Sequence, residues 1–163
     1  LFFDVDVSAS DLETSAPFAI NMGDLIADTV VNSTEKIWVD FSTNGESGGR
    51  VYVIGKNGGL VSAATAGYKI DAISGDLAST SNSKGFGVQG FSAIGGSFSI
   101  APLYNQTGDT VGIVDQQVRE IFTASGPISG GRGSFLLKVK SSAITPAAED
   151  YSESLTVIAS GNF

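Results

Sequence analysis

Apolar and polar residues alternate from the first positions of this chain. In LFFDVDVSAS, Phe3, Val5, Val7 and Ala9 fall on one side of an extended strand, and Asp4, Asp6, Ser8 and Ser10 fall on the other. That period of two is the signature of a half-buried β-strand. APFAINM and GDLIADTVV read as further strands, and in EKIWVDFST the residues Ile37, Val39 and Phe41 alternate with Lys36, Trp38, Asp40 and Ser42. RVYVIGKNGGLVSA reads as a hairpin. Its arms, Val51 to Ile54 and Leu60 to Ala63, flank GKNGG, where Asn57-Gly58 supplies the positive φ values that a tight turn demands.

Downstream, YKIDAISGDLASTSNSK begins as a strand and loosens into a polar surface loop, STSNSK. GFGVQGFSA and GSFSIAP resume the extended pattern, with glycines that let the backbone bulge or approach a neighbour. TVGIVDQQVREIFTAS nearly meets helical spacing at Val114, Val118 and Ile121, but Val118, Glu120 and Phe122 fit a strand, and a strand is the reading adopted. GPISGGRG is a Gly-rich turn before two strong strands, SFLLKVKSS and YSESLTVIAS. About ten short strands at this spacing predict an all-β fold: a single antiparallel β-sandwich spanning residues 1–163, immunoglobulin-like or jelly-roll in type. Its expected core is Ile37, Val39, Phe41, Val51, Val53, Phe135, Leu137, Val139, Leu155 and Val157. No fixed-period repeat suggests a solenoid or propeller.

Composition supports this class. Helix formers are sparse, 21 residues are Gly, and 42% hydrophobic residues suffice for a sizeable core. The net charge of −8, with Lys and Arg scattered, disfavours nucleic acid and anionic membrane surfaces, which need a concentrated positive patch. No apolar run approaches the roughly 20 residues of a membrane span. The Ser/Thr/Gly-rich, weakly charged surface predicts an extracellular or cell-surface protein. The Leu start, with no leader, suggests that an initiator Met or a longer targeting segment has been removed or that the chain was trimmed.

With no His and no Cys, neither a Ser-His-Asp triad, a Cys nucleophile nor an imidazole or thiolate zinc site can be assembled. The remaining carboxylate pairs, Asp115 with Glu120 and Glu149 with Asp150, read as surface charge, so no catalysis is expected. GGRGS and GFGVQG lack the context of a phosphate loop. Calcium is a weak candidate ligand: Asp4, Asp6, Asp11 and Glu13 form one acidic group and Asp71 and Asp76 another, in neither case with EF-hand spacing. Solvated strand-face charge is the reading preferred for these residues. Asn32-Ser33-Thr34 and Asn105-Gln106-Thr107 satisfy the glycosylation sequon. Trp38 would stack on sugars if exposed, but its flanking Ile37 and Val39 predict burial between sheets or beneath a loop.

The segment TPAAEDYSESLTVIASGNF resembles the closing strand of secreted bacterial β-sandwich subunits of the spore-coat-U and fimbrial type, through Pro146, Ala147, Tyr151, Leu155 and Val157. In such pilin-like proteins the N-terminal strand of one subunit completes the sandwich of the next. The resemblance therefore implies a filament subunit that partners with copies of itself, with residues 1–9 as donor strand and Phe2, Phe3, Val5 and Val7 at the subunit interface. Many relatives carry a disulfide, which this chain cannot form. The alternatives are that the first strand pairs within its own chain, or that the sandwich is a carbohydrate-binding or adhesin module engaging surface glycans.

Overall fold

The computed structural model describes all residues, 1–163, as an all-β chain without helices. Its strands are β1 (Phe2–Ser8), β2 (Val30–Asn32), β3 (Lys36–Thr43), β4 (Gly49–Gly55), β5 (Gly59–Ser62), β6 (Tyr68–Asp71) and β7 (Gly75–Asp76). There follow β8 (Gly85–Ile94), β9 (Phe98–Ile100), β10 (Thr110–Val111), β11 (Arg119–Ala124), β12 (Ile128–Lys140) and β13 (Leu155–Gly161). Two antiparallel sheets dominate. The first runs β1-β3-β12-β8, with β2 continuing the lane of β3 alongside the far half of β12; the second runs β13-β4-β11-β9. Two-stranded sheets β5-β6 and β7-β10 flank them.

The two large sheets face each other across an aromatic core, a sandwich-like arrangement. Phe41 of β3 stacks on Phe98 of β9 with ring centroids 5.7 Å apart, and Phe122 of β11 meets Phe135 of β12 at 6.2 Å. Glycines on the inner faces make room for these rings: a Cβ on Gly133 would lie 2.7 Å from the Phe122 ring. Of the expected core, Ile37, Val39, Phe41, Val51, Val53, Phe135, Leu137 and Val139 are buried. Leu155 and Val157 are half-buried because β13 is an edge strand that packs on the core from one side.

Four expectations about local structure are corrected. The Gly-rich GPISGGRG is for the most part the start of β12, its register against β3 shifting between Ile128 and Gly131, because the glycines accommodate an irregularity within the strand. APFAINM and GDLIADTVV are irregular up to β2, and Ala27 alone forms a bridge, to Ser141. Their apolar residues Ile20, Met22 and Leu25 pack individually onto the core without joining a ladder. The turn at GKNGG exists, with Gly58 at φ 70°, but its arms do not pair. β4 joins β11 and β13, whereas β5 joins β6, so the chain changes sheets at this turn. TVGIVDQQVREIFTAS is split into β10 and β11 around an irregular stretch in which Gln117 N–H is capped by the Asp115 carboxylate.

The alternating Lys138 and Lys140 of β12 point away from the core, yet they are buried. Lys138 Nζ donates to the Gly108 carbonyl at 2.7 Å and Lys140 Nζ to the Asn82 carbonyl at 2.9 Å. Both thereby fasten loops over the outer face of the sheet. A buried ammonium is tolerated when its donors are satisfied in this way.

Candidate functional site

β1 pairs with β3 of its own chain in an unbroken antiparallel register, from Phe2 opposite Ser42 to Ser8 opposite Lys36. Phe3, Val5 and Val7 face inward and are half-buried against the core, while Phe2 is 57% exposed. The N–H groups of Val5 and Val7 point to the free side of the strand. That side is blunted: Val7 N–H donates to Thr14 Oγ1 at 2.9 Å, and Val5 N–H donates to the neighbouring Asp4 carboxylate at 2.9 Å. Capping an edge from within the chain is how sheet proteins avoid unplanned pairing.

Behind β1, on the outer face of the sheet, lies a group of charges that sequence reasoning placed in solvent. Asp6 is fully buried. One oxygen accepts from Thr14 N–H at 2.7 Å and the other meets Arg132 of β12 at 3.2 Å. The same guanidinium binds Asp40 of β3 and, through Nε at 2.8 Å, Asp11. Burial pulls the Arg132 pKa down, but the Asp40 and Asp11 carboxylates outweigh it and leave the group raised and charged. Asp11 takes the left-handed conformation at φ 54°, which curls residues 8–14 over the sheet. Beneath that curl Trp38 is buried, donating its indole N–H to the Ser8 carbonyl at 3.0 Å, with Arg132 5.6 Å from its ring. Register made this group legible in principle: Asp4 stands opposite Asp40, and Asp40 opposite Arg132.

Of the acidic residues considered for calcium, Asp4, Asp6 and Glu13 are brought together, with carboxylate oxygens within 4.8 Å of one another. The proximity of Asp6, then loss of some hydration and the proximity of Asp4, raises the Glu13 pKa above its ordinary 4.5. Asp71 and Asp76 are not part of it. Asp71 pairs with Lys69 at 3.1 Å, and Asp76 caps its own turn through Ala78 N–H. The three clustered carboxylates could hold a hard cation, although Asp6 is already committed to Thr14 and Arg132.

Of the carboxylates considered for chemistry, Asp115, Glu120 and Asp150 serve as braces and Glu149 is exposed. Asp115 binds Arg119 and Glu120 binds Arg50. Asp150 accepts from the Ser62 hydroxyl and the Ala64 N–H, which hold its pKa below 3.8, with Ser62 the larger cause. Glu153 accepts from the N–H groups of Asn57 and Gly59 and so fixes the turn at which the chain changes sheets. Asn32 and Asn105 are both exposed.

On the same flank lies a second edge, which sequence reasoning did not single out. A Cβ on Gly161 would sit 3.0 Å from Thr43 Oγ1, so the end of β13 lies against the end of β3, and β1 and β13 border one side of the molecule. Comparison with protein-family models, curated proteins and solved structures finds no match for this chain.

Proposed function

We propose that this chain is the structural subunit of an extracellular or cell-surface filament, assembled by exchange of β1 between copies. The observation that carries the reading is the placement of β1. It is an edge strand in a bulge-free seven-residue register, joined to the rest by the irregular residues 9–29. A segment of that length, at ~3.3–3.6 Å per residue when extended, reaches a neighbouring subunit. Exchanging β1 would reproduce the same ladder and the same partial burial of Phe3, Val5 and Val7, each contributing a fraction of the ~1.5–3 kcal/mol that full burial would supply. Head-to-tail exchange does not close on itself and so yields an open fibre. Calcium enters this reading as at most a modest stabiliser of the Asp4, Asp6 and Glu13 group, and no catalytic role is assigned.

The test is a reversible lock. Val5 and Val39 form a non-hydrogen-bonded pair, whose Cα atoms lie ~4.5 Å apart in such ladders, within disulfide range. The double variant Val5→Cys/Val39→Cys in a chain with no other cysteine should form no fibres in electron micrographs when oxidised, and should form them after reduction. Fibres from the oxidised chain, or a wild-type chain that stays monomeric under every assembly condition, would overturn the proposal.

A further inference from the structure

The free side of β13 differs from the edges of β1, β2, β8 and β9. Lys56 N–H donates to the Ser154 carbonyl, and Asn162 N–H donates to the Gly48 carbonyl. In an antiparallel ladder this phase turns the even-numbered positions toward β4 and the odd-numbered ones outward. The N–H and C=O groups of Leu155, Val157, Ala159 and Gly161 therefore face away from β4, and no strand, loop or side chain partners them. The other long edges are occupied in part. β1 is capped by Thr14 and Asp4, while β8 is covered where Val88 exchanges hydrogen bonds with Gly112 and Gly90 donates to Tyr104. β2 and β9 are only three residues long.

Charge separates the edges in the same way. In a chain of net charge −8, no side chain from Leu155 to Phe163 is charged, whereas Asp4, Asp6 and Glu13 crowd β1. Two copies meeting at β1 would bring like charges together; two copies meeting at β13 would not. A long, flat, uncharged edge is a template for strand pairing.

We propose that β13 is a homotypic docking edge that pairs antiparallel with β13 of a second copy about a two-fold axis through Ile158. That axis sets Leu155 opposite Gly161 and Val157 opposite Ala159, so the four outward-facing residues of one copy satisfy those of the other. The two four-stranded sheets become one continuous sheet. Ile158, whose side chain lies on the outer face and is 40% exposed, meets its own counterpart at the axis as a non-hydrogen-bonded pair. This inference does not depend on exchange of β1.

Two substitutions test it in the full chain. Ala159→Pro removes only an outward N–H, which an edge strand tolerates, and Ile158→Lys sets two ammonium groups face to face across the axis. Sedimentation equilibrium should show a dimer for the wild type and a dissociation constant raised about tenfold or more, some 1.4 kcal/mol, in either variant. Hydrogen exchange should show the amides of Leu155, Val157, Ala159 and Gly161 protected in the dimer and unprotected in Ile158→Lys. Should Ala159→Pro fail to fold, Ile158→Lys alone decides. The oxidised β1-locked chain should still dimerise, whereas Ile158→Lys should still form fibres, which separates this edge from β1. A wild-type chain that is monomeric at millimolar concentration, a dimer unchanged in Ile158→Lys, or outward amides that exchange freely within the dimer would each overturn it.

Discussion

β1 and β13 border the same flank, each with a seven-residue ladder free of bulges, yet the chain treats them in opposite ways. Around β1, side chains cap the outward N–H groups of Val5 and Val7, and carboxylates are packed so closely that the fold must hold them against their own repulsion. At β13 the backbone is left open, and the carboxylates just before it, Asp150 and Glu153, brace a neighbouring turn through N–H groups and a hydroxyl. Equal strand geometry thus says little about pairing. What an edge does depends on what the adjoining loops lay beside it.

The largest expected effect on this contrast comes from removing the centre of the β1 side. Arg132→Ala leaves the buried Asp6 without its counter-charge, and breaking such a pair typically costs about 3–5 kcal/mol. Urea denaturation should show a loss of that order, and the curl over Trp38 should loosen, reported by a red shift of tryptophan fluorescence. An intermediate effect follows from uncapping the edge. Thr14→Val takes the acceptor from Val7 N–H at a cost of roughly 1 kcal/mol and should make β1 adhesive, so light scattering should rise above that of the wild type.

The smallest effect is on pH dependence, where the groups beside the two edges oppose each other. Glu13 titrates above its ordinary 4.5 in the folded chain, so its contribution to stability is present below 4.5 and lost as pH rises through the folded value. Asp150 titrates below 3.8 in the folded chain, so its contribution is present above 3.8 and lost as pH falls through the folded value. In melting curves taken across pH, Glu13→Gln should gain stability at neutral pH, and Asp150→Asn should flatten the acid limb. An Asp150→Asn variant with an unchanged acid limb would break the contrast.

The residues made some of this legible and hid the rest. Alternation in EKIWVDFST and SFLLKVKSS identified the inward-facing core, because Ile37, Val39 and Phe41, and Phe135, Leu137 and Val139, repeat every second residue along strands that lie inside their sheet. The same alternation misjudged the outer face. Lys138 and Lys140 look solvent-facing until loops distant in sequence fold over them, and Asp6 looks like surface charge until Arg132 reaches it from another strand. At GKNGG the glycines announced a reversal, but a turn does not specify which lane the following strand enters. Phe2, Phe3, Val5 and Val7 were recognised as an exposed-or-covered strand. Its capping by Thr14 lay beyond local reading because a single hydroxyl has no periodicity.

The pairing of β4 with β13 also governs the order in which the molecule can form. Val51 lies opposite Ala159, so the ladder that completes the second sheet closes a loop of about a hundred residues, and contacts of such separation form late. During synthesis, at roughly 5–20 residues per second, β4 and β11 emerge well before β13 exists, and one side of β4 waits unpaired for several seconds. The open edge that β13 presents in the finished chain is thus, earlier in the molecule's life, the edge of β4. A nascent chain stalled in that interval exposes RVYVI, a β-rich segment with a single charge, and is the form most in need of a chaperone.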